Sequence, residues 1–73
     1  MKLGKYQHWK NGKYYRVICV AKHSETLEDF VVYEVLHKNL VSKLWVRPMK
    51  MFLEKVEVNG KKVPRFKFVG NKR

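Results

Sequence analysis

The chain has 73 residues, of which 45% are hydrophobic and 32% are charged. This length allows one small domain with a thin core, and the composition excludes a disordered segment and a membrane protein. Seventeen lysines and arginines exceed six acidic residues and give a net charge of +11, so we expect the domain to attract polyanions. The sequence predicts a single domain over residues 1–73, with residues 70–73 frayed.

The cysteine content and the chain's first residues predict a cytoplasmic protein. The lone Cys19 cannot form a disulfide within the chain, and no cysteines and histidines have the spacing of a zinc site. The N-terminus lacks the apolar run of a signal peptide, and no apolar stretch approaches the ~20 residues of a membrane span. We therefore expect no metal, no cofactor and no membrane partner.

Charge is unevenly distributed along the chain. Residues 1–22 contain six basic side chains and no acidic one, whereas residues 23–37 contain four acidic side chains and no basic one. The segment from residue 59 to the end adds six more basic side chains and no acidic one. The two basic ends predict a surface that could bind nucleic acid, although surface lysines also serve solubility alone.

The first predicted element is a β-hairpin around Asn11-Gly12. This dipeptide favours a two-residue turn, which would place His8 opposite Tyr15 and Tyr6 opposite Val17. Cross-strand partners share a face of the sheet. The residues predicted to share the inward face are Tyr6, His8, Tyr15, Val17, Cys19 and Ala21.

The rest of the chain is also predicted to be almost entirely β. Residues 22–29 have no strand periodicity and predict a long loop, and Pro48 predicts the end of a strand and the start of one helical turn. The predicted strands are 30–37, 44–47, 55–58 and 63–69, with a turn at 59–62. Five or six short antiparallel strands predict an SH3-like barrel or roll. The alternative is a five-stranded oligonucleotide-binding barrel.

Two short segments carry the candidate site. The loop His23-Ser24-Glu25-Thr26 holds four hydrogen-bonding side chains, and Trp45 and Arg47 project from one face of their strand. Glu25 could pair with Arg47, or His23 and Arg47 could together receive an anion. The predicted ligand-binding residues are His23, Ser24, Glu25, Thr26, Tyr33, Trp45 and Arg47. The competing interpretation is that the loop's side chains only stabilise the loop and Trp45 only fills the core.

The order of several motifs resembles a bacterial family. These motifs are Gly4-x-Tyr6-x-His8-Trp9-Lys10, His23-Ser-Glu-Thr26 with Glu28, Val32-Tyr33, Trp45-Val-Arg-Pro48, Met51-Phe52 and Arg65-Phe66. The family is the one called domain of unknown function 1653. The resemblance implies an SH3-type barrel and marks residues of the family signature, but it implies no activity.

Three functions follow as hypotheses. The first is a non-enzymatic binding module in which the HSET loop and the WVRP strand form one patch for a peptide or a small polar or anionic ligand. The second is nucleic-acid binding through Lys10, Lys13, Arg16, Lys61, Lys62 and Arg65, with exposed aromatic rings stacking on bases. The third is an accessory domain that docks on a protein partner, as a monomer or a weak dimer.

Overall fold

The computed structural model describes residues 1–38 and 41–70. Within these ranges the chain forms seven strands and one helical turn. The elements are β1 (Gly4–His8), β2 (Tyr14–Lys22), β3 (Asp29–Val35), β4 (Leu44–Pro48), α1 (Met49–Phe52), β5 (Lys55–Val58), β6 (Lys61–Pro64) and β7 (Phe66–Gly70). No helix in the described part of the chain is long and apolar enough to cross a membrane.

The strands form two antiparallel sheets. The larger sheet has the order β4-β3-β2-β1-β7, and β5 and β6 form a separate hairpin. The predicted all-β class with one helical turn after Pro48 is therefore confirmed. The strands number seven rather than five or six, and hydrogen bonding between the described strands does not close the sheet into a barrel, so β4 and β7 are its edges.

The first hairpin has a longer turn than its Asn-Gly dipeptide predicts. Tyr6 pairs with Tyr15, not with Val17, and the backbone N–H of His8 donates to the carbonyl of Lys13. The loop therefore spans residues 9–12, and the Asn11 side chain accepts the backbone N–H of Lys13 at 2.8 Å. A shift of two residues preserves the faces, because side chains alternate with a period of two.

A β-bulge in β2 overturns the prediction for Cys19. Val17 pairs with Tyr33, but Cys19 pairs with Val32, so Ile18 is an extra residue between the two pairs. One extra residue reverses which side chains point inward beyond that point. Cys19 is consequently exposed rather than on the inward face, and Ala21 is exposed as well.

The last part of the chain divides differently from the single hairpin predicted for it. Val58 pairs with Lys61, so the turn contains only Asn59 and Gly60, which have φ values of 52° and 78°. Positive φ at both positions is the geometry for which Asn-Gly is favoured. Residues after Arg65 then leave this hairpin and form β7 beside β1. Gly70 belongs to β7, and the rest of the segment predicted to be frayed, residues 71–73, lies outside the described ranges.

The core is a small aromatic cluster on one face of the large sheet, which we call the core face. Its buried members are Tyr6, Val17, Val31, Tyr33, Phe52 and Phe66. Pro48 has a ψ of 134° and cannot continue as helix, so α1 begins at Met49 and presents Met49 and the fully buried Phe52 to the sheet, as their spacing predicts. Phe52 stacks on Phe66 with centroids 4.2 Å apart. Truncating such a ring costs about 3–5 kcal/mol.

Candidate functional site

The HSET loop connects β2 to β3 and is exposed to solvent. Its four residues lie between the Lys22–Asp29 pair, which closes the hairpin with an ion pair of 2.7 Å. Leu27 has a φ of 61°, a conformation that a leucine adopts only when surrounding bonds impose it. The predicted loop is thus a tight hairpin turn with its own internal bonds.

The polar groups of this loop bond mainly to its own backbone. His23 Nδ1 accepts the backbone N–H groups of Glu25 and Thr26 at 3.1 and 3.3 Å. The Thr26 hydroxyl accepts the N–H of Glu28 at 3.3 Å, and the His23 ring lies 5.7 Å from the Phe30 ring. Two of the four predicted ligand-binding side chains are therefore engaged in holding the turn.

The two halves of the predicted patch do not meet. No ion pair or hydrogen bond joins His23 or Glu25 to Arg47 among the residues that the structure describes. Arg47 pairs with Val31 on the core face of the sheet, and Phe30, which carries the His23 contact, lies on the other face opposite Pro48. The described residues do not form the predicted Glu25–Arg47 pair, and the His23 ring packs against a residue on the face opposite to that of Arg47.

Trp45 and Arg47 share one face, as the alternation of their strand predicts. Trp45 pairs with Tyr33 and packs against the buried cluster, and its indole N–H donates to the carbonyl of Ser42 at 2.9 Å. Tyr33 is buried, and its ring lies edge-on to Tyr15 at 5.7 Å. Trp45 and Tyr33 thus form part of the wall from which the Arg47 side chain extends.

The Phe66 ring contacts both Arg47 and His8, which lie on different strands of the sheet. The Arg47 guanidinium carbon lies 5.6 Å from the Phe66 ring centroid, and the His8 ring meets Phe66 edge-on at 4.9 Å. Arg47 is on the edge strand β4, whereas Phe66 begins the opposite edge strand β7. The sheet therefore curls until side chains of its two edges touch. We call the group His8, Arg47 and Phe66 the Arg47 site.

The electrostatic environment of the Arg47 site is positive. Partial burial lowers the pKa of His8, and the charges of Arg65, Arg47 and Lys10 lower it further. His8 Nδ1 accepts the backbone N–H of Lys10 at 3.1 Å, so that nitrogen carries no proton. A neutral ring with an acceptor at Nδ1 carries its proton on Nε2, which can then donate to a ligand.

The two arginines near His8 differ in their partners. Arg65 binds the Glu54 carboxylate at 2.6 Å, which neutralises its charge. Arg47 is half-buried and has no carboxylate partner among the described residues; its guanidinium lies over the Phe66 ring. A half-buried guanidinium without a counterion is a potential receptor for an oxyanion, because its five donors remain available.

The residues predicted to bind nucleic acid are spread over several elements. Lys10 and Lys13 lie exposed in the β1–β2 loop, and Lys61 and Lys62 are exposed on β6. Arg16 lies on β2 and contacts Glu34 at 3.7 Å, while Arg65 is held by Glu54.

The sequence interpretation did not assign His8 and Phe66 to the ligand site. Both residues lie within motifs that carry the family resemblance, so the available signal was their membership of those motifs. What could not be derived was their contact with Arg47, because it depends on the pairing of β7 with β1 and on the curl of the sheet. The sequence pattern shows neither this strand pairing nor the curl of the sheet.

The fold and the site define a small basic all-β domain with a half-buried, positively charged aromatic site. The sequence profile of the family described as "Protein of unknown function (DUF1653)" matches residues 4–68. The chain therefore belongs to this family, as the motifs indicated.

A solved structure with a similar fold belongs to the same family. The crystal structure of a DUF1653 protein from Bordetella bronchiseptica has 30% sequence identity and a TM-score of 0.90, over 100% of this chain and 92% of that one. The search of curated proteins gives no match.

Proposed function

We propose that the protein is a non-enzymatic binding module whose Arg47 site receives the oxyanion, carboxylate or phosphate, of a small ligand or peptide. The observation that carries the proposal is the half-buried Arg47 guanidinium, which lies over Phe66 without a carboxylate partner among the described residues. The proposal keeps the WVRP half of the sequence hypothesis and replaces the HSET loop with His8 and Phe66.

Three features of the site favour an anionic ligand. The charges that lower the pKa of His8 raise the local positive potential, and a neutral His8 can add a hydrogen bond from Nε2. The Phe66 ring, 5.6 Å from the guanidinium carbon, limits the access of water on that side, which strengthens the attraction of Arg47 for an anion. The planar guanidinium also has the fork of donors that makes a bidentate contact with a carboxylate or a phosphate.

The proposed module acts in the cytoplasm. Cys19 is exposed and has no cysteine with which to pair within the chain, a state that a reducing compartment preserves.

Isothermal titration calorimetry tests the proposal with inorganic phosphate, succinate and a short glutamate-containing peptide as probes. The variant Arg47→Met removes the charge but keeps a long apolar side chain on Phe66. Arg16→Met is the matched control, because it removes an equal charge from the opposite face of the sheet. We expect at least one probe to bind, Arg47→Met to weaken it about tenfold through loss of charged hydrogen bonds, and Arg16→Met to leave it unchanged.

Two results would contradict the proposal. One is the absence of binding by all three probes to the wild-type protein, and the other is an equal loss of affinity in both variants. Circular dichroism of Arg47→Met establishes that the variant is folded, and the Arg47→Lys variant separates loss of charge from loss of the planar fork. The probe that binds also identifies whether carboxylate or phosphate is preferred.

A further inference from the structure

The topology brings the two basic ends of the chain together. β7, from the basic C-terminal segment, pairs with β1, and β1 pairs with β2, both from the basic N-terminal segment. These three neighbouring strands contain no acidic residue. The acidic side chains of residues 23–37 lie in the β2–β3 turn and on β3, beyond β2. Basic and acidic segments that follow one another in the sequence therefore occupy different parts of the sheet.

The outer surface of β7, β1 and β2 faces away from the aromatic cluster. Lys67 pairs with Gln7, and Gln7 pairs with Tyr14, so these three side chains form a row across the strands. Lys5 lies in the next row with its Nζ 4.5 Å from the centroid of the Tyr14 ring, which is 40% exposed. We call this surface, with Lys5, Gln7, Tyr14 and Lys67, the basic face.

A groove opens at the end of the basic face where β1 leads into its loop. It has a volume of about 410 Å³, and its lining includes Gln7, Trp9, Pro64 and Lys67. Trp9 is 40% exposed and stacked with the His8 ring at 6.4 Å and an interplanar angle of 24°. The groove is thus a preformed slot with an aromatic wall, and its volume falls within the range of small-ligand sites. We call it the Trp9 groove.

One lysine lines the Trp9 groove, and others are close in the chain to its lining residues. Lys67 lines it, Lys13 follows the lining residue Gly12, and Lys61 and Lys62 precede the lining residue Val63 on β6. Lys10 is close enough to lower the pKa of His8, another lining residue. An exposed aromatic ring among cations is the combination with which proteins hold a nucleic-acid strand, because bases stack on the ring and phosphates pair with the cations.

We propose that the Trp9 groove and the basic face bind single-stranded nucleic acid, with a base stacked on Trp9 and the backbone directed over Lys67 and Lys5. A single strand is required because the bases of a duplex are stacked on one another and cannot reach the indole ring. This surface shares His8 with the Arg47 site but includes neither Arg47 nor Phe66, and the proposal does not depend on the proposed oxyanion function.

The test is fluorescence anisotropy with labelled single-stranded RNA and DNA of about 12 nucleotides, a length within the range of small single-strand sites. A duplex of the same sequence is titrated in parallel, at salt concentrations from about 50 to 200 mM. We expect the single strands to bind more tightly than the duplex, with an affinity that falls linearly with salt on a logarithmic scale.

Variants locate the binding surface. Trp9→Leu is expected to lower affinity about tenfold or more, because a stacked base is lost. Lys67→Ala is expected to lower affinity and to reduce the salt slope by about 0.7, the value for one phosphate contact on a single strand. Lys50→Ala on α1 is the matched control, because it removes an equal exposed charge far from the basic face, and Arg47→Met is expected to bind nucleic acid normally.

The proposal fails if no single strand binds at the lowest salt, if the duplex binds as tightly as the single strands, or if Lys50→Ala and Lys67→Ala weaken binding equally. The last result would mean that the net charge acts diffusely and that the groove has no special role. Failure here leaves the calorimetric test of the Arg47 site unaffected, because the two experiments use different probes and different variants.

Discussion

His8 is a residue whose pKa is lowered both by burial and by several nearby charges. Burial comes first among the causes that lower its pKa below 6.5, followed by the charges of Arg65, Arg47 and Lys10. A histidine with a lowered folded-state pKa takes up its proton more readily in the unfolded chain. Well above pH 6.5, His8 therefore does not change the free energy of unfolding. As the pH falls through the window between 6.5 and the folded-state pKa, His8 increasingly lowers this free energy.

The first prediction concerns this histidine. Lowering the pH from 7 to 5 is expected to decrease the free energy of unfolding of the wild-type protein, and His8→Gln is expected to show a smaller decrease because the side chain no longer titrates. Urea denaturation at several pH values measures both. Parallel pH curves for the two proteins would show that His8 contributes nothing to the pH dependence.

The second prediction concerns His23, whose Nδ1 accepts two backbone N–H groups. His23→Phe keeps a ring against Phe30 but removes the acceptor, so the protein is expected to lose about 1 kcal/mol of stability, as for a lost helix cap. Glu25→Gln is the control, since the Glu25 side chain forms no hydrogen bond or ion pair with the described part of the chain. Equal urea midpoints for His23→Phe and the wild type would contradict the structural role of the loop.

At the scale of elements, the sequence predicts strands well and their exact alignment less well. Val56 and Val58 alternate with charged residues, as do Phe66 and Phe68, and this alternation identifies their strands because it follows from burial of one face. The bulge at Ile18 leaves no comparable signal, since Val17, Ile18, Cys19 and Val20 are all apolar. The sequence pattern alone therefore does not determine which face of β2 is buried after Val17.

The turns show the same limit. The sequence predicts a two-residue turn at Asn11-Gly12 and a longer turn at 59–62, but the structure has the four-residue loop at 9–12 and the two-residue turn at Asn59-Gly60. Asn11 lacks positive φ, and its side chain binds Lys13 within a four-residue loop, while the N–H of Trp9 donates to the carbonyl of Arg65. Contacts with a distant part of the chain thus determine the first turn, and the local sequence does not contain them.

The third prediction follows from the bulge. Cys19 is exposed on the outer face of the sheet, so a thiol reagent such as dithionitrobenzoate is expected to react with the folded protein without prior unfolding. The rate under native conditions is compared with the rate in urea. A native rate that is slower by orders of magnitude and rises with denaturant would place Cys19 on the buried face instead.

For the whole molecule, the position of the charges on the sheet is more important for the proposed binding surfaces than the net charge. Basic strands β7, β1 and β2 lie side by side, while the Arg47 site forms where the curled sheet brings β4 to β7. The uneven charge along the chain is visible in the sequence, but its concentration on one face depends on the pairing of the first and last strands. For the same reason, the sequence could name Arg47 but could not name its neighbours His8 and Phe66.

The fourth prediction concerns the net charge of +11. Mutual repulsion of the basic side chains opposes the compact state, and salt screens it over about 10 Å at 0.1 M. The melting temperature is therefore expected to rise as sodium chloride increases from about 10 to 150 mM. A melting temperature that stays constant or falls would show that the favourable ion pairs, such as Arg65 with Glu54, outweigh the repulsion.

The most direct test of the proposed oxyanion site is a two-dimensional ¹H–¹⁵N NMR titration with the probe that binds in calorimetry. The predicted result is a set of saturable shift changes centred on the backbone of His8, Arg47 and Phe66, with the His23–Thr26 turn unaffected. Shift changes centred on the His23–Thr26 turn, or spread evenly over the lysines, would contradict the assignment of the site to Arg47.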